Sequence, residues 1–333
     1  MLPMNPARKK SRVRIGPLLV VLFWAAVLAA GLYNLQSISD WLKLRGYHAP
    51  AAVAAIASQD TMTPYARKVF YVNKPDIAPK ASFATLCPSG TEQTVVLGCY
   101  HPDQNGIDVL RVSDPRLSGI EQVTSAHEML HAAYDRLSSA QRKQVDSRLM
   151  DYYQHDLHDP TIRAQIAAYK KTEPHAVVNE MHSVFGTEVA QLPTQLEHYY
   201  QRYFTNRAAV VAFYNQYQSE FTSRVTTIKA DNAQLQMWKP QIAADETNLQ
   251  AEYASLEAQK GQLDAARSNS RTDDYNNQVT AYNSAVDAYN AQVASLRSLV
   301  SQYNALVNSV NNLVLETQQL TNEINSQVSP IGN

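Results

Sequence analysis

The order of apolar and polar residues divides this chain into four stretches. The first is continuous: "IGPLLVVLFWAAVLAAGLYNL", Ile15 to Leu35, holds no side chain charged at neutral pH. About 20 residues of helix rise roughly 30 Å, the thickness of a bilayer's hydrocarbon core, so the run predicts a transmembrane helix over 15–35. Residues 36–60 show weak periodicity and scattered proline, which predicts a stalk with a short helix around Ala51 to Ser58. Between Lys80 and Asp114 come the short β-rich runs "ASFATLC", "TVVLGCY" and "GIDVLRV", separated by "PSG" and "HPDQNG". They predict a sheet of about three strands.

From Leu117 to about Phe204 the apolar residues recur at helical spacing. "SSAQRKQVDSRLMDYYQHD" starts with a serine cap ahead of a stripe through Val145, Leu149 and Tyr152 or Tyr153. "PTIRAQIAAYKK", "PHAVVNEMHSVFGTEVAQL" and "PTQLEHYYQRYF" each open on a proline, which the first helical turn tolerates. The compact unit is therefore residues 61–210, a small sheet followed by several helices.

The last stretch, 211–328, is periodic at seven. Phe221, Ile228, Leu235, Ile242, Leu249, Leu256 and Leu263 recur without a slip, with Val225 and Tyr253 at some second apolar positions. Tyr275, Val279, Tyr282, Val286, Tyr289, Val293, Leu296, Val300, Tyr303, Val307 and Val310 then alternate steps of four and three. This is coiled-coil spacing with few charges in the seam. "RSNSRTDD" between the arms has turn-forming residues and no apolar anchor, which predicts an antiparallel helical hairpin kinked at Pro240. A parallel dimer of the same arms is the alternative. The predicted fold class is mainly α (α+β): a domain with a small sheet and several helices, then a long coiled coil.

Charge adds orientation. "ARKKSRVR" precedes the apolar run, so the tail 1–14 is expected in the cytoplasm and everything beyond the run outside it. If Ala29, Ala30 and Gly31 serve a signal peptidase, the rest is still exported. With 29 Lys plus Arg against 30 Asp plus Glu there is no basic surplus, and no nucleic-acid partner is expected. An oxidising compartment would pair the two cysteines, Cys87 and Cys99, a loop closure contributing on the order of 3 kcal/mol.

The chemistry concentrates in "VTSAHEMLHAAYDRLS", Val123 to Ser138. Residues four apart share a helix face, so His127 and His131 can present imidazoles to one metal ion, with Glu128 beside it as a base towards water. The uncharged, proline-free flanks suit a helix buried against a cleft, and "GIDVLRV" offers an edge strand to an extended peptide. A third ligand is required, and "VVNEMHSVFGTE" offers Glu180 or His182. These point about 200° apart on a helix, so both cannot serve the same ion. Tyr199, Tyr200 and Tyr203 are possible donors to a developing oxyanion, or core residues. His155 and His158 in "QHDLHD" read as a solvated helix end. There is no Gly-rich phosphate loop, nucleophile elbow or paired-carboxylate pattern.

"VTSAHEMLHAA" and "NEMHSVF" resemble the gluzincin branch of the HExxH zinc metallopeptidases, in which a second helix supplies a glutamate, commonly preceded by asparagine as Asn179 precedes Glu180. The resemblance covers nothing beyond about residue 210. It implies a zincin-like peptidase domain, Zn2+ as cofactor, His127, His131 and Glu180 as ligands, and Glu128 activating a zinc-bound water to hydrolyse peptide bonds. Several such enzymes carry an aspartate four residues after the ligand glutamate to orient a zinc-bound histidine; here Val184 stands there, so that carboxylate must come from elsewhere, with Asp135 to be considered. The expected function is a membrane-anchored zinc metallopeptidase acting on a peptide or protein. Its coiled coil would serve as a spacer or as an arm docking a protein or cell-envelope partner. The alternative is a non-catalytic structural or adaptor protein of the envelope.

Overall fold

A computed structural model describes residues 23–24, 34–88, 95–104, 106–268 and 272–325. The basic tail and almost all of the apolar run over 15–35 lie outside the described residues; among those described, no helix is long and apolar enough to cross a membrane. The chain is mainly helical, with one small sheet.

Three short helices come first: α1 (Leu35–Leu44), α2 (Ala51–Gln59) and α3 (Pro64–Val72). Thr63 caps α3 by accepting from the Ala66 amide, and Pro64 follows in the first turn. The segment 36–60, expected as a stalk, is instead folded onto the domain. Val53, Ile56 and Ala57 of α2 join the main core. Asp40 of α1, 2% exposed, accepts from both terminal nitrogens of Arg136 at 2.9 and 3.0 Å and pairs with Lys68 at 3.2 Å.

The sheet differs from expectation in one run and in one strand, since β1 comes from Asp76–Ala78, upstream of the three expected runs. "ASFATLC" forms a helix, α4 (Lys80–Leu86), entered through Pro79 and burying Phe83. Ala, Ser, Lys and Leu, none branched at Cβ, behind a proline favour the helix over a strand. The strands are β1 (Asp76–Ala78), β2 (Gly98–His101) and β3 (Gly106–Leu110), in the order β1-β3-β2, β1 parallel and β2 antiparallel to β3. "GIDVLRV" is thus the central strand, with Ile107, Val109 and Leu110 buried, and β1 and β2 are the edges. A disulfide joins Cys87 to Cys99, Cα to Cα 5.8 Å.

Helix α5 (Ile120–Asp135) runs through the middle of the core and is buried along nearly its whole length. Next come α6 (Ser139–His155), held by a capping box of Ser138 and Gln141, and α7 (Pro160–Thr172), capped by Asp159, both packed on the helix that follows them. The next helix, α8 (Val177–Thr187), starts three residues beyond Pro174 rather than on it, and α9 (Thr194–Tyr200) starts after Pro193.

The two long helices, α10 (Arg207–Ser268; 62 residues) and α11 (Thr272–Ile324; 53 residues), extend about 90 and 80 Å and pair with each other. Tyr253 meets Tyr289, Gln292 donates to Glu252 and Arg224 pairs with Glu316, an antiparallel register. The seven-residue stripe does form the seam, and α10 continues through Pro240. Val225 and Tyr253, however, are 42% and 55% exposed. The second seam positions are Arg224, Asp231, Trp238, Asp245, Glu252 and Gln259, each half-buried, so the seam carries more charge than the apolar stripe suggested. The far end of α11 returns to the domain, where Lys80 donates to the Asn322 carbonyl and the Ser113 amide to Glu323.

Burial alone would raise the pKa of Asp40, but the bonds from Arg136 and Lys68 outweigh it and hold the carboxyl below its ordinary range. A carboxyl depressed on folding contributes stability above its unfolded pKa and loses it as pH falls through the folded value. Asp40→Ala, which leaves Arg136 unpaired, is expected to cost about 3 kcal/mol at neutral pH. Denaturant unfolding of both proteins should show that gap narrowing on acidification below about pH 4.

Candidate metal centre

Helix α5 stacks the His127 and His131 rings one turn apart, centroids 4.8 Å from each other. Helix α8 lies against α5 at this level because Gly186 allows it: a Cβ there would stand 2.4 Å from Leu130 Cδ1 and 2.8 Å from Tyr200 Cε1. The approach presents Glu180, in the first turn of α8, to both imidazoles. Its Oε1 is 3.4 Å from His131 Nε2 and its Oε2 3.6 Å from His127 Nε2. One ligating atom from each residue lies within 4.8 Å of the others. Two donors bound at about 2.1 Å to a tetrahedral ion are about 3.4 Å apart, so each Glu180 oxygen stands from one imidazole at a separation that such an ion could bridge.

The groups around this triad make it an electrostatic sink for a cation. Burial would lower the pKa of His127, but Glu180, Glu128 and Glu188 reverse this and push it up to about 9. His131 is lowered by burial, with Glu180 acting against the shift. Burial raises Glu180, yet the two histidines outweigh it and hold the carboxylate below its usual range. Glu128 is 7% exposed and lines the same cleft as His127 and His131.

Behind His127 stands a carboxylate that the sequence reading missed. Glu188, at the end of α8, lies 3.9 Å from His127 Nδ1 and accepts from Gln165 at 3.3 Å. Burial raises it to about 7, with His127 opposing. It is the group suited to orient the ring where Val184 is silent. Glu188 stands just past the last turn of α8, about 80° round from Glu180, so no helical spacing in the sequence ties it to His127. Asp135 does not fill this place: its side chain is 39% exposed and lies 3.8 Å from Arg142.

His182 points away from the triad. It is fully buried, its Nε2 2.8 Å from the Tyr199 hydroxyl, with Tyr134, Tyr199, Tyr200 and Tyr203 around its ring. Burial drives its pKa down to about 3, so it is neutral. The three downstream tyrosines thus belong to a buried cage and not to the cleft. His155 pairs with Asp151 at 3.0 Å on an exposed surface.

The cleft over the triad has a volume of about 830 Å3. One side is the edge strand β2; the other includes Gln165 and Tyr169 of α7 and Tyr214 and Tyr217 of the long helix α10. Tyr169 lies close enough to Glu180, Glu188 and Glu128 that, added to burial, their charge pushes its hydroxyl pKa far up. These tyrosines sit in helical stripes that read as core, which is why spacing alone did not single them out.

Comparison with known proteins finds no match: no family model, curated protein or solved structure matches the chain.

The fit between strand and helix is close at Gly98, where a Cβ would stand 2.5 Å from Thr124 Cγ2 and 2.9 Å from Glu128 Cγ. Gly98→Ala is therefore expected to push β2 off α5 and cost roughly 1–3 kcal/mol, measured by denaturant unfolding. A change below about 0.5 kcal/mol would mean the strand yields freely there.

Proposed function

We propose that the chain is a zinc-dependent metallopeptidase of the gluzincin kind, with His127, His131 and Glu180 holding Zn2+. The observation that carries this reading is the placement of Glu180 with one oxygen 3.4 Å from His131 Nε2 and the other 3.6 Å from His127 Nε2, with Glu128 lining the same cleft. Two imidazoles and a carboxylate are a donor set that zinc takes in catalytic sites, leaving one position for water. When bound, the ion supplies Lewis-acid polarisation of the scissile carbonyl and lowers the pKa of a water.

The remaining roles fall to residues of the chain. Glu128 takes the proton from the attacking water and delivers it to the leaving amine. Glu188 holds the His127 ring in orientation. Tyr169, rather than Tyr199, Tyr200 or Tyr203, is the phenol placed at the cleft to donate to the developing oxyanion. The main chain of an extended peptide adds to the free edge of β2, a role that β3, being central, cannot play. In this reading the apolar run over 15–35 anchors the protein, the domain works outside the cytoplasm, and the hairpin holds a substrate or an envelope partner. The length of the two arms also suits the second reading, a non-catalytic envelope adaptor.

Metal analysis of the full-length protein separates the two. The metallopeptidase reading expects about one zinc per chain, lost in His127→Ala, His131→Ala and Glu180→Ala but kept in His182→Ala. Glu128→Gln should keep the metal and lower peptide hydrolysis by roughly 10²–10⁴-fold. A folded wild-type protein that neither carries zinc nor takes it up would sink the proposal, and unchanged hydrolysis in Glu128→Gln would remove that residue as the base.

A further inference from the structure

The second convergence of ligating side chains lies on the sheet. Cys99 and His101 are two apart on β2 and so share a face, and Asp108 of β3 is the register partner of Cys99. Cys87 reaches the same place from the end of α4. His101 Nε2 lies 3.0 Å from Cys99 Sγ and 3.5 Å from Asp108 Oδ2. One atom from each of the four residues falls within 4.8 Å of the rest. A disulfide that only staples a loop needs neither an imidazole nor a carboxylate at its sulfurs.

We propose that reduction of Cys87–Cys99 opens a second metal site, in which Cys87, Cys99, His101 and Asp108 bind one borderline-soft divalent cation such as Zn2+. Two sulfurs, one nitrogen and one oxygen are a tetrahedral zinc donor set. Two thiolates and a carboxylate with a neutral imidazole leave a bound dication one negative charge in net, as in a Cys3His site. The reductant is a dithiol. It transfers two electrons and two protons to the disulfide, giving two thiols and becoming a cyclic disulfide itself; cation binding then displaces the two thiol protons. At about 2.3 Å from the ion the sulfurs stand about 3.7 Å apart, so they separate from bonding distance to a contact the ion spans. Cys87, 3% exposed beside Phe83 and Leu110, lies outside any strand just past the last turn of α4, so the shift falls to it rather than to Cys99 within β2.

The site is independent of the first: it draws on none of His127, His131 or Glu180. It is nonetheless adjacent, since Cys87, Cys99 and His101 border the same cleft. While the compartment stays oxidising the disulfide is closed and the cation excluded. Exposure to a dithiol exchanges a covalent tie on the cleft's edge strand for a metal one.

Cobalt(II) is the probe, added to full-length protein in detergent, oxidised in one sample and in the other reduced with a dithiol that is then removed anaerobically. The reduced protein is expected to take up one more equivalent than the oxidised and to show a thiolate-to-cobalt charge-transfer band. His127→Ala should keep both the additional equivalent and the band. His101→Ala and Asp108→Asn, which retain the disulfide, should each weaken that binding at least tenfold. Equal uptake by reduced and oxidised protein would overturn the proposal, as would absence of the band, or His101→Ala and Asp108→Asn both binding within twofold of wild type. Loss of the first site in His127→Ala with the band intact would leave this proposal standing whatever becomes of the peptidase reading.

Discussion

The arrangement depends on one carboxylate placed between two imidazoles where little water reaches. Glu180 is 7% and His131 8% exposed, so the carboxylate has little bulk solvent to stabilise its charge and must find compensation in the two imidazoles. That demand governs the packing. Helix α8 must come close enough for both carboxylate oxygens to face α5, which excludes a side chain at Gly186. The opposite face of α8 closes around His182, neutral inside tyrosine rings, its Nε2 bonded to Tyr199 and its Nδ1 buried without a hydrogen-bond partner.

Around this core the chain fixes the position of α8 from its far end. Arg207, the first residue of α10 and 7% exposed, donates to the carbonyls of Phe185, Val189 and Ala190 at 3.3, 2.6 and 3.2 Å and also bonds Glu197. A guanidinium satisfies several carbonyls at once because its donors are planar and fixed. The turn that carries Glu188 is thereby tied to the root of the hairpin. What looks in sequence like an appended coiled coil begins inside the domain, with Tyr214 and Tyr217 at its cleft.

The sequence made the periodic features legible and left the convergent ones hidden. Heptads in 221–263 and 275–310 announce long helices because every seam position repeats the same demand. "HEMLH" announces a shared face because its geometry is local to one helix. Between Glu180 and His182 the sequence could not decide, because that depends on which side of α8 meets α5, a property of tertiary packing. Glu188 and Tyr169 escaped notice for the same reason: their proximity to His127 and to the carboxylates arises only when α7 and α8 fold over α5. "ASFATLC" was misread because its Cys and Phe suit a strand pattern while Pro79 and the small unbranched residues select a helix. Residues 36–60 read as a stalk because their few apolar positions are dispersed, yet Asp40 shows that a single buried ion pair can tie such a segment down.

The two ends of the hairpin are attached to different sides of the cleft. The root of α10 is held by the turn after α8, on the helical side, while the end of α11 is held at Lys80 and Ser113, on the side of the sheet. Knobs-into-holes packing resists small slides, and full registry returns only after a heptad, roughly 10 Å. The seam that pairs the two arms thus also ties the turn after α8 to the side of the sheet, through bonds at both ends of the hairpin.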